Sequence, residues 1–151
     1  MQTYRLFNDI DINILSSIPK TVNITNIVQL INLEIPKHLF SEIDVVYIGN
    51  FDFLTKEFEI YKFMENAIYL SDTISSNEDI LLYLIQALSE SIQEKNSYLI
   101  YENMEIINEI NVEESFADIL VDYLLYDKLE VKAQKPKCYR LIQEIIDNET
   151  C

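Results

Sequence analysis

A single histidine, His38, and two cysteines, Cys138 and Cys151, are the only side chains here of the types that make up common zinc sites with nitrogen or thiolate ligands. Together they fall short of the four ligands that a closed zinc site takes. His38 stands between Pro36-Lys37 and Leu39-Phe40. That setting suits a partly buried or surface imidazole better than a catalytic base. The cysteines lie near the C-terminus, and two thiols make no disulfide scaffold, which points to a reducing compartment. Gly49 is the only glycine, so no glycine-rich phosphate cradle can form. Ser75-Ser76 and Ser89-x-Ser91 have no base nearby, so a serine triad has no support. The many carboxylates offer no defined pair for glycoside hydrolysis.

Those carboxylates instead set the overall field. The 151-residue chain has 26 acids against 11 Lys and Arg, a net charge of −15. Residues 1–127 carry 22 acids and 6 bases, and residues 78–127 carry 12 acids with the single base Lys95. Such a surface repels nucleic acid, anionic lipid and acidic substrates, and attracts basic protein surfaces. The ten tyrosines and seven phenylalanines are interleaved with acids rather than Lys or Arg, which argues against base stacking on RNA or DNA. The basic stretch Lys128, Lys132, Lys135, Lys137 and Arg140 is the exception, and reads as a solvated connection or a contact for an acidic partner.

The elements that must position these groups are mostly helical, because one Gly and three Pro leave little punctuation for a turn-rich sandwich. The expected organisation is a single domain over residues 1–151, with a core at 40–127, an N-terminal helical segment at 1–39 and a last helix at about 138–148. In the first segment Asn26 or Thr25 caps a helix carrying Ile27, Leu30, Ile31 and Ile35, which Pro36 ends. Ile43 to Ile48 is a β-branched and aromatic run that stops at Gly49. Phe58 to Met64 and Ala67 to Leu70 flank Glu65-Asn66 as a hairpin. From Asn77, a cap followed by Glu78 and Asp79, the stripe Ile80, Leu84, Ala87, Leu88 and Ile92 predicts a helix to Lys95. A second helix is expected over about Val112 to Leu129. The fold class expected is α+β, a small antiparallel sheet of about three strands packed against helices. No apolar stretch reaches the ~20 residues of a membrane span, and the N-terminus lacks the apolar core of a signal peptide.

The order of these pieces, Ile43-Asp-Val-Val-Tyr-Ile-Gly-Asn-Phe51, the hairpin ending Ala67-Ile-Tyr-Leu-Ser71 and the helix opening Glu78-Asp79-Ile80, resembles small zincin-like metallopeptidases of phage and marine microbial genomes. The likeness covers roughly residues 40–95 and continues weakly to about 125. It implies a zincin-like fold, with a His-Glu-x-x-His helix whose histidines bind zinc and whose glutamate deprotonates the metal-bound water. At those positions this chain reads Gln86-Ala87-Leu88-Ser89-Glu90. An amide and a carboxylate are a poor zinc pair, and Ala87 accepts no proton. The resemblance also places Glu114, in Glu114-Ser-Phe-Ala-Asp118, as a third ligand from a later helix.

Gln86, Ala87, Glu90 and Glu114 therefore read as a vestigial site, with no catalytic residue, metal or cofactor. The expected function is a catalytically inactive zincin-like domain acting as a structural or protein-interaction module. The resemblance suggests a phage virion component or accessory protein, located in the host cytoplasm or the virion. Its partners would be other virion proteins or further copies of itself, without nucleic acid or membrane. The alternative is an acidic mimic of nucleic acid that inhibits a basic host protein.

Overall fold

The computed structural model describes residues 2–148. The chain falls into two compact units, Met1–Leu88 and Ser89–Cys151. No helix among the described residues is long and apolar enough to cross a membrane.

The first unit is built on a five-stranded mixed sheet, in the order β1-β2-β3-β5-β4. Strands β1 (Gln2–Leu6) and β2 (Ile10–Ile14) form an antiparallel hairpin, and β3 (Val45–Gly49) lies parallel to β2. Strand β5 (Ala67–Ser71) is parallel to β3, and β4 (Tyr61–Met64) pairs antiparallel to β5 at the edge. The registers align Ile12, Val46 and Ile68 in one row and Ile14, Ile48 and Leu70 in the next, all buried. These two cross-strand rows are the apolar centre of the unit.

The expectation of a small antiparallel sheet of about three strands, in a zincin-like arrangement, is corrected here. The class is α+β, but the sheet has five strands with two parallel pairings. The reason lies at the N-terminus, where helical pieces were expected and a hairpin stands instead. Its turn contains no glycine. Phe7 and Asn8 both take left-handed conformations at φ 55°, and Phe7 is held by a ring contact with Phe40 and by donating its N–H to Asn32 Oδ1. Only tertiary contacts make a phenylalanine acceptable there. Once β2 exists, helix α1 (Ile24–Glu34) becomes a crossover, and β3 is laid down parallel to β2. The expected β4–β5 hairpin is present, with Glu65 and Asn66 at φ 53° and 64°, a left-handed pair that suits a two-residue turn.

Capping in this unit also differs from the expectation. Helix α1 is capped by Asn23, whose side chain accepts from the N–H of Asn26. Helix α3 (Asn77–Lys95) has the expected span. Ser76 Oγ, rather than Asn77, accepts from Asp79 N–H, while Asn77 Oδ1 accepts from Asn23 N–H. Short helix α2 (Asp52–Lys56) follows β3. Gly49 sits in a tight place: an added Cβ would lie 3.2 Å from the Phe51 ring and 3.3 Å from Leu15 Cβ, so those side chains would have to give by a few tenths of an ångström. Phe51 and Phe53 stand edge-on to Tyr69, which stacks on Tyr47 of the neighbouring strand.

The second unit is helical. After the end of α3 come α4 (Ser97–Tyr101), α5 (Met104–Glu109), α6 (Phe116–Val121), a π-turn at Asp122–Tyr126, α7 (Lys128–Gln134) and α8 (Pro136–Asp147). Ile100, Ile106, Phe116, Ile119, Leu120, Cys138 and Ile142 are its most buried apolar side chains. The single helix expected over Val112 to Leu129 is broken into three parts. Ser115 and Asp118 form a reciprocal capping box that starts α6, and Asp127 Oδ1 accepts from Glu130 N–H to start α7. The last helix is present and begins two residues earlier than expected, with Pro136 in its first turn.

Candidate functional site

Gln86, Ala87 and Glu90 all lie on α3, with Gln86 and Glu90 half-buried and Ala87 fully buried. Leu88 and Ser89, the intervening positions of the motif, are fully buried as well. Position 87, where a zincin would need a proton acceptor, is therefore a packing position in this fold. Ser89 Oγ is buried without a hydrogen-bond partner. Among the described residues, no three His, Cys, Asp or Glu side chains gather into a group able to hold a metal ion.

Glu114 has a different role from that of a ligand. It precedes α6, accepts from Asn111 N–H at 3.0 Å and pairs with Lys135 Nζ at 2.6 Å. Burial alone would raise its pKa, but the Asn111 N–H and the Lys135 ammonium outweigh burial and hold the carboxyl below its ordinary value. Asp118, the other acid of the Glu-x-x-Ala-Asp segment, caps α6 through Ser115 N–H. The segment that resembles a ligand motif is thus a loop closure followed by a helix start. Its capping box was legible in Ser115-x-x-Asp118, because a hydroxyl and a carboxylate three residues apart satisfy each other's N–H groups.

Other carboxylates of this unit serve the backbone. Both oxygens of Glu109 accept from the start of α8, from Lys137 N–H at 2.9 Å and Cys138 N–H at 2.8 Å. No residue flanking α8 caps it, so a carboxylate distant in sequence does so. Cys138 is fully buried, and burial together with Glu109 pushes its thiol up to about 12, which keeps it protonated and unreactive at neutral pH. Cys151 lies outside the described residues. His38 is half-buried in a 3-10 turn, Lys37–Phe40, and is engaged there.

The basic stretch folds back on its own unit. Lys128 lies over the Tyr123 ring and Lys132 over the Tyr139 ring, at 5.2 and 5.8 Å. Lys135 holds Glu114 and the Glu109 carbonyl, and Lys137 lies 3.7 Å from Glu105. Four of the five cations assigned by sequence to a partner or to solvent therefore have intramolecular contacts.

Two further surface features belong to this unit. One is a cleft of about 240 Å³ beside the π-turn, where Glu114, Asp122, Asp127 and Glu130 meet Lys135 and Tyr126. Burial first, then the charges of Glu114, Asp118 and Glu130, raises the Asp122 pKa. The other is an apolar surface on α4 and the start of α5. Tyr98, Leu99, Tyr101 and Met104 are 76 %, 53 %, 48 % and 65 % exposed, whereas Ile100 between them is fully buried. Four large apolar side chains facing solvent within seven consecutive residues are unusual for a surface. Sequence reasoning missed them. The available signal was a segment, Ser97-Tyr-Leu-Ile-Tyr101, with more apolar side chains than a five-residue helix can bury on one face.

No family model, curated protein or solved structure matches this chain.

Proposed function

We propose that this protein is a non-catalytic protein-interaction module that works through an exposed surface. The observation that carries this reading is the exposed set Tyr98, Leu99, Tyr101 and Met104. Tyrosine supplies rigid contact area, methionine adapts to irregular surfaces, and both are enriched at interfaces. Tyr98 and Tyr101, three residues apart on α4, present their rings from one side of the helix. The buried Ala87 supports the absence of chemistry at the degenerate motif, since that position serves packing.

The reading as a nucleic-acid mimic is less well supported. Residues 96–127 hold eight acids and no base, but five of those acids, Glu105, Glu109, Glu114, Asp118 and Asp127, are engaged in capping or ion pairs. Phosphate mimicry needs carboxylates presented outward, and these are positioned by internal contacts.

The test is affinity capture from the native host with the wild-type protein and with a Tyr98→Ser, Met104→Ser variant. Both positions are exposed, so the variant should retain its melting temperature within about two degrees. A protein retained by the wild type and lost with the variant supports the proposal. Identical captured sets would refute it. A separate hydrolysis assay on generic peptide substrates should show no turnover above buffer.

A further inference from the structure

We draw no further inference here: the strongest candidate, the exposed apolar surface of Tyr98, Leu99, Tyr101 and Met104 on α4 and the start of α5, belongs to the reading already proposed, and nothing in the structure shows what covers it.

Discussion

The two units of this protein are held by different kinds of interaction. In Met1–Leu88, strand registers stack isoleucine, valine and leucine into continuous buried rows, and the polar groups mainly finish turns and caps. In Ser89–Cys151, α4 to α7 are five to seven residues long, too short to persist alone. There the helix ends are tied by carboxylates: Glu109 to α8, Asp118 to α6, Asp127 to α7 and Glu114 to Lys135. The lesson is that a high acid content can be structural. Acids whose sequence pattern looks like chemistry act here as caps on short helices.

Removing apolar volume from the sheet should have the largest effect. Ile68 is fully buried at the centre of a cross-strand row. Ile68→Ala should cost about 3–4 kcal/mol, measured by denaturant unfolding. Glu109→Ala comes next in size, because it leaves the Lys137 and Cys138 N–H groups without their acceptors. Its expected cost is about 2 kcal/mol, and Glu109→Gln, which keeps one acceptor oxygen, should recover about half of that. If Glu109→Ala is silent, the contrast between the units fails.

The third prediction concerns acid pH. Glu114 has a folded pKa below its ordinary value of 4.5, so its contribution is complete above that pH and is lost as the pH falls through the folded value. Asp122 acts with the opposite sign. Its folded pKa lies above 3.8, so it favours the folded state when protonated, and that contribution is lost as the pH rises through the folded value. Lys135→Met should cost about 1 kcal/mol at neutral pH and flatten the acid side of the melting-temperature profile below about pH 4.5. An unchanged acid limb would show that the Lys135–Glu114 pair contributes nothing to it. Asp122→Asn should raise the neutral-pH melting temperature. The smallest change is Ser89→Ala, which removes a buried hydroxyl without a partner. It should be neutral or stabilising by up to about 1 kcal/mol, and a loss above about 1 kcal/mol would mean that the hydroxyl has an acceptor.

The sequence by itself determined the parts whose signals are local. The period of α3 ran from Asn77 to Lys95 as read, because its apolar stripe and acidic first turn are properties of neighbours in the chain. The Glu65-Asn66 turn was legible because two apolar and aromatic runs flank it and asparagine tolerates a left-handed backbone. The β1–β2 hairpin was not legible, since Phe7 is stable at φ 55° only with Phe40 and Asn32 beside it. Without that hairpin, the direction of β3 relative to its neighbours could not be deduced, and an antiparallel sheet looked natural.

The candidate site followed the same division. That Ala87 carries no group able to accept a proton is a matter of residue identity, open to anyone reading the chain. The role of Glu114 depended on Lys135, 21 positions away, and that of Glu109 on the start of α8. The exposure of Tyr98, Leu99, Tyr101 and Met104 was likewise decided by the tertiary structure. Residue type fixes what a side chain can donate, accept or bury. Which of those capacities is used depends on what the fold brings within a few ångströms, and that distance is not written in sequence order.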